Sequence, residues 1–291
     1  MHVHCLSSPG STATANQDRC GFTEDAMWVI DGAMNLDKIA VSPGGDDAEW
    51  IAASLHEFLL GIDWSAYEST IDVLKDASRQ MGEQYAKWVA ESPVKPATCP
   101  SATLAIVRRL ADSLEYTILG DCSITVIDRF NLTEEYLTTF DFAPFETAAI
   151  KELAGHIEQG MSFAEARSGV QETLVRNRHK MNRLDGYWVF SIDPDAIDNA
   201  THGTIELSYC LDLVLASDGF SRLWDLFHVT KQGQESWKLL ELGGLDQALE
   251  RLRQEERADA ETLVYPRFKV SDDASVVVGR VRGRTDEKKS N

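Results

Sequence analysis

The chain contains no apolar run near the ~20 residues that a membrane-spanning helix needs. Its N-terminus has no basic segment followed by an apolar stretch, so no signal peptide is expected and a cytoplasmic location is. Basic residues are scarce: 28 Lys and Arg stand against 47 Asp and Glu, a formal net charge of −19. Nucleic acid and anionic membranes both require a basic footprint, so neither is expected as a main partner. The five cysteines, Cys5, Cys20, Cys99, Cys122 and Cys210, are scattered and contain no CxxC pair. That argues against a zinc site or a disulfide framework and for free thiols in a reducing compartment. His2 and His4 alternate on a strand but offer two metal ligands with no third nearby, where zinc wants three or four. There is no internal repeat and no long Gly/Ser/Pro linker.

What is present suffices for a core. Hydrophobic residues make up 43% of the 291 residues, which supports one domain over 1–281 with a polar tail over 282–291. Helical spacing predicts helices over 46–60, 67–90, 146–158, 162–178 and 235–256. Apolar runs predict strands over 1–6, 27–31, 102–110, 114–119, 124–127, 204–209, 211–217 and 275–281, with a strand entry near Val189-Phe190. Short connections between strands imply antiparallel neighbours, and helices that come in pairs imply an α+β fold with helices packed outside the sheets.

Two apolar runs end abruptly on Asp-Gly: Val29-Ile30-Asp31-Gly32 and Leu215-Ala216-Ser217-Asp218-Gly219. A strand that stops on an acid and a glycine puts a carboxylate at a sheet edge with backbone free to approach a ligand. Asp18, Asp121 and Asp272 stand in similar contexts. Any one of these acids alone reads as a turn or cap residue. Together the five suggest a cation cage, and an all-oxygen donor set suits Mg²⁺ or Mn²⁺ rather than Zn²⁺.

Six phrases in order carry a family likeness: Asn16-Gln17-Asp18, Val29-Ile30-Asp31-Gly32, Ser101-Ala102-Thr103-Leu104-Ala105, Leu119-Gly120-Asp121, Leu215-Ala216-Ser217-Asp218-Gly219-Phe220-Ser221, and Ser271-Asp272-Asp273-Ala274-Ser275-Val276-Val277-Val278. In these the chain resembles the type 2C (PPM) metal-dependent Ser/Thr protein phosphatases. The resemblance implies a four-layer α-β-β-α sandwich of two antiparallel sheets. It implies two Mg²⁺ or Mn²⁺ ions, with a third weaker one involving Asp121. Asp31 would bridge the two, the Gly32 carbonyl would bind the second, Asp218 and Asp272 would ligate the first, and Asp18 would hold metal-bound water. The implied activity is hydrolysis of phosphoserine and phosphothreonine in a phosphorylated protein by a metal-activated water.

The sequence departs from the family pattern around the first Asp-Gly. Family members usually carry an Arg shortly before the Asn-x-Asp phrase; here the stretch is Ser11-Thr12-Ala13-Thr14-Ala15. Many carry a His after Asp-Gly; here the residues are Ala33 and Met34, and the Gly-Gly that usually follows is displaced to Gly44-Gly45. Arg19 is the nearest replacement in sequence. A second is Arg178, within Arg176-Asn177-Arg178-His179-Lys180, although such a run also reads as a solvated helix face. Two alternatives to an active protein phosphatase stay open: a regulatory binding module without turnover, and a phosphatase of a small phosphorylated metabolite. Residues 140–205 differ most from the family and are expected to include the flap beside the active site.

Overall fold

The computed structural model describes residues 1–33, 39–207 and 209–283. Met34 and the tail beyond Gly283 lie outside the described residues. The strands are β1 (His2–Ser8), β2 (Asp18–Phe22), β3 (Ala26–Ala33), β4 (Ser101–Arg109), β5 (Ser113–Leu119), β6 (Ser123–Asp128), β7 (Thr133–Leu137), β8 (Phe190–Ser191), β9 (Thr201–Glu206), β10 (Cys210–Ala216) and β11 (Ala274–Arg282). The helices are α1 (Asp47–Gly61), α2 (Thr70–Glu91), α3 (Ala143–Glu158), α4 (Phe163–Gly169), α5 (Gln171–Arg178), α6 (Asp218–Asp225) and α7 (Gln234–Ala258). One sheet runs β1-β11-β10-β6-β7; the other runs β2-β3-β4-β5-β9, with β8 also paired to β4. Every described pairing between these strands is antiparallel.

Strand periodicity explains the layers. Successive residues of a strand face opposite sides, so a strand buried on both faces feeds two cores. On β3, Met27 and Val29 pack between the sheets against Leu213, Leu215 and Val277. Trp28 and Ile30 face the other way, into a core with Ile51 and Leu55 of α1 and Leu74 of α2. On the second sheet, Val214, Ala216 and Val276 meet Phe220 of α6 and Leu252 of α7. The result is helices, sheet, sheet, helices, the α+β sandwich expected from the sequence. Local chemistry fixes the helix starts. The Asp46 carboxylate accepts hydrogen bonds from the Ala48 and Glu49 backbone N–H groups, and Ser69 with Asp72 forms a reciprocal cap on α2.

Four elements differ from what the sequence predicts. The helix expected over 162–178 is two, α4 and α5, broken at Val170, whose ψ of 2° leaves the helical range. Gly169 at the break lies against the His156 ring of α3, and Leu153, Ala166 and Val170 form a small core of their own there. The strands β2 and β7 and the helix α6 were not foreseen. Among the described residues, no helix is long and apolar enough to cross a membrane.

Candidate metal centre

The antiparallel register of β2 on β3 places Asp18 directly opposite Asp31. The second sheet contributes from its matching end, where Ala216 of β10 pairs with Val276 of β11 and with Ser123 of β6. Asp218 follows that end of β10 as the first residue of α6, Asp272 precedes β11, and Asp121 lies in the turn between β5 and β6. Ser217 ties the sheets together: its hydroxyl donates to Asp18 Oδ2 at 2.8 Å, and it accepts from the Ser275 N–H at 3.0 Å. Both Asp-Gly glycines permit close backbone approach. A Cβ on Gly32 would overlap the Ala48 carbonyl oxygen, and one on Gly219 would overlap the Asp273 carbonyl oxygen.

The acids are crowded and dry. Burial lifts Asp18 to about 7, with Asp218, Asp272 and Asp273 adding to the rise against the opposing Ser217 hydrogen bond. Burial, then Asp18, Asp218, Asp121 and Asp272, pushes Asp31 well above the usual carboxylate range. Burial and Asp218 do the same to Asp121. Oδ1 of Asp18 and Oδ1 of Asp121 are buried without a hydrogen-bond partner among the described residues. A buried carboxylate oxygen with no donor calls for a proton or a cation.

Asp272 is differently placed. Burial would raise its pKa, yet Lys269 and Arg222 hold it below the usual range. Arg222 Nη2 donates to Asp272 Oδ2 at 2.9 Å, and Lys269 donates to Oδ1. The same guanidinium stands 4.0 Å from Asp218 and 3.9 Å from the fully buried Glu256. No group of three His, Cys, Asp or Glu side chains among the described residues converges as a preformed ligand set.

No family model and no curated protein matches the sequence. Solved structures do match the fold. The serine/threonine phosphatase PstP/Ppp of Mycobacterium tuberculosis is similar over 97% of this chain and 98% of its own, with TM-score 0.56 and 16% identity. The serine/threonine phosphatase Stp1 of Staphylococcus aureus is similar over 97% of this chain and 96% of its own, with the same TM-score and identity. This is the fold of the bacterial PPM-type phosphatases. The likeness runs nearly end to end, and at 16% identity it is one of fold. A catalytic domain of PstP solved in complex with two manganese ions also has this phosphatase fold, with TM-score 0.50 and 14% identity.

Within the phosphatase fold, the two candidate arginines part ways. Arg19 donates to the Asn16 and Asp18 carbonyl oxygens at 2.6 and 2.8 Å and to Glu49 Oε1 at 3.1 Å, so it braces the turn that delivers Asp18. Arg178, at the end of α5, donates to Ser101 Oγ at 3.0 Å. Ser101 pairs with Ala33, so this guanidinium stands where β3 ends, one residue past Gly32. His2 and His4 lie away from the acids on β1, their Nε2 atoms 3.0 Å apart. Three residues, Arg222, Lys269 and Glu146, escaped the sequence reading. Arg222 is one helical turn after Asp218, and Lys269 is three residues before Asp272, spacings that could have flagged both. Asp273 accepts the Gly10 and Gln17 N–H groups at 2.8 and 2.7 Å, tying the entry to β2 against the other sheet. Glu146 of α3 is lifted to about 7 by burial and by Asp218, and no sequence signal links it to the centre.

Proposed function

We propose that the protein is a Mg²⁺- or Mn²⁺-dependent phosphoprotein phosphatase acting on phosphoserine and phosphothreonine. The observation that carries this reading is the pair of buried, partnerless carboxylate oxygens on Asp18 and Asp121 beside Asp31, in a phosphatase fold. Their donor chemistry fits hard divalent cations. Asp31, the Gly32 carbonyl, Asp121, Asp218 and Asp272 would hold two or three ions, with Asp18 beside them. Bound there, the ions lower the pKa of water and neutralise charge on the phosphoryl group.

The chain's own residues do the rest. Ser217 fixes the Asp18 carboxylate by donating to Oδ2, which leaves Oδ1 to take up or give a proton near neutral pH. Arg178 would bind a phosphate oxygen, and Arg19 would act indirectly by holding the Asn16–Asp18 turn. A phosphorylated protein is the partner this implies, and the 140–205 segment would choose among such proteins. Release of phosphate from phosphopeptides with Mn²⁺, followed with malachite green, tests the reading. Turnover abolished by chelator supports it; Mn²⁺-independent turnover counts against it.

One observation favours a second reading, a binding module with little turnover. Arg222 and Lys269 already neutralise Asp272. Mn²⁺ binding seen by calorimetry without phosphate release from any phosphopeptide or small phosphoester would select it.

A further inference from the structure

Two of the scattered cysteines meet in the fold. Cys5 is on β1 and Cys20 is on β2, edge strands of opposite sheets. Along β1, Val3 packs into the core between the sheets while Leu6 packs on the helix side, so Cys5 and Ser7 share the inner face with Val3. Along β2, Cys20 joins that same inner core and stands opposite Val29. The two edges touch at Ser7: the Asn16 side-chain amide donates to Ser7 Oγ at 2.8 Å, and that hydroxyl donates to the Asp18 carbonyl at 3.4 Å. Two residues along each strand from that contact, Cys5 and Cys20 come to neighbouring positions, close enough for each thiol to shift the other's pKa. Cys5 is exposed and Cys20 is half-buried behind it.

We propose that Cys5 and Cys20 form an oxidisable dithiol, which a two-electron oxidant such as hydrogen peroxide closes to a disulfide joining the edges of the two sheets. The exposed Cys5 sulfur attacks one peroxide oxygen, the O–O bond breaks, and a sulfenic acid and one water result. The Cys20 sulfur then attacks the Cys5 sulfur, the S–O bond breaks, and a second water leaves with the Cys20 proton. Both electrons go to the peroxide, and two thiols have become one disulfide. The assignment of roles follows the geometry: the accessible thiol meets the oxidant, and the sheltered one resolves. The neighbouring Cys20 thiol lowers the Cys5 thiol to about 7, which favours its thiolate, against the opposing effect of burial. The bond would anchor β2 two residues from Asp18, whose position already depends on the Ser7 contact. Cys122 differs: it is fully buried and bonded only to Thr103 Oγ1 among the described side chains.

Tryptic mapping tests this directly. Cleavage after Arg19 puts the two cysteines on separate peptides, Met1–Arg19 and Cys20–Lys38. The full chain is exposed to hydrogen peroxide, alkylated, and digested without reductant. The expected result is a linked pair two hydrogens lighter than the sum of the free peptides, on a monomer in a non-reducing gel. Thiols titrated in denaturant should fall from five to three. Cys5→Ser, an exposed and nearly isosteric change, should abolish the linked peptide and keep all four remaining thiols. Three results would overturn the proposal: over-oxidised Cys5 without linkage, a Cys5–Cys5 cross-linked dimer, or linkage of either residue mainly to another cysteine.

Discussion

Replacing Arg222 by methionine keeps the side chain's length and removes its charge from the centre. Its side chain is 11% exposed, and it faces Asp272, Asp218 and Glu256. Deleting one partner of a buried ion pair costs about 3–5 kcal/mol, because the other charge is left uncompensated. Here each tightly held acid keeps a second cation: Asp272 retains Lys269, and Glu256 retains Arg253 at 2.8 Å. The loss should therefore fall at the lower end, about 3 kcal/mol. For a chain of this length, at roughly 2 °C per kcal/mol, the melting temperature in chelator should drop by about 6 °C. Manganese should then act unequally. A ligand at about 100 times its Kd contributes roughly 2.7 kcal/mol to the folded state. In the variant, Asp218 and Asp272 no longer share a built-in cation, so Mn²⁺ should recover most of the loss. The parent protein, whose guanidinium competes for the same carboxylates, should gain less. Differential scanning fluorimetry of both proteins across an Mn²⁺ titration reads both effects. Equal Mn²⁺ shifts in the two proteins, or no drop in chelator, would refute the reasoning.

Asp31→Asn and Asp218→Asn should each lose nearly all Mn²⁺-dependent hydrolysis of p-nitrophenyl phosphate; near-normal rates in both would remove the metal assignment. Gly219→Ala should lower the urea midpoint by the equivalent of about 1–3 kcal/mol, because its Cβ would overlap backbone rather than a movable side chain. An unchanged midpoint would mean that the α6 start and the Asp272-Asp273 turn are not in contact. Stability without metal should fall as pH rises. Asp18 stands at about 7 in the folded chain against an ordinary 3.8, so the folded state holds a proton that the unfolded state has lost. That contribution is present in full below about pH 4 and is lost as pH climbs through 7, at most about 4 kcal/mol at roughly 1.4 kcal/mol per pH unit. Urea midpoints in chelator at pH 5 and pH 8 check the sign, and Asp18→Asn should shrink the difference to the part that Asp31 and Asp121 contribute.

The segments legible in the sequence were those whose side chains alone set the structure. The runs ending at Asp31 and Asp218 are apolar because β3 and β10 are buried on both faces, and burial writes itself into composition. β2 reads DRCGF and β7 reads TEEYL; neither shows an apolar stripe, and each is a strand because β3 or β6 offers it an edge. The start of α6 was hidden for another reason. Asp-Gly marks turns, yet Ser217 ends the strand in extended conformation and the helix begins at once on Asp218. Missing α6 meant missing Arg222, since its tie to Asp218 exists only at helical phase. Val170 broke the expected helix because Gly169 allowed close packing against α3, a tertiary fact with no local sign. The acids themselves were legible because their chemistry travels with the residue type, whatever backbone carries them.

The charge balance around the two Asp-Gly phrases is uneven, and this bears on both functional readings. On the Asp218 side, Arg222 and Lys269 hold Asp272, and Arg253 reaches the Asp272 carbonyl at 2.8 Å while pairing with Glu256. On the Asp31 side, Asp18, Asp31 and Asp121 form no salt bridge among the described residues, and Oδ1 of Asp18 and of Asp121 finds no hydrogen-bond partner among them. Arg19, the nearest arginine in sequence, is directed at backbone carbonyls and Glu49. The unmet demand for positive charge thus lies at the first Asp-Gly, where the sequence also departs from the family pattern. An ion entering there would relieve three buried carboxylates whose pKa burial and neighbouring acids raise, whereas one entering beside Asp272 must first displace Arg222 or Lys269. An active phosphatase and a metal-dependent binding module would share the first step and part at the second. The difference between them therefore turns on the two cations beside Asp272 rather than on the acids of the two Asp-Gly phrases.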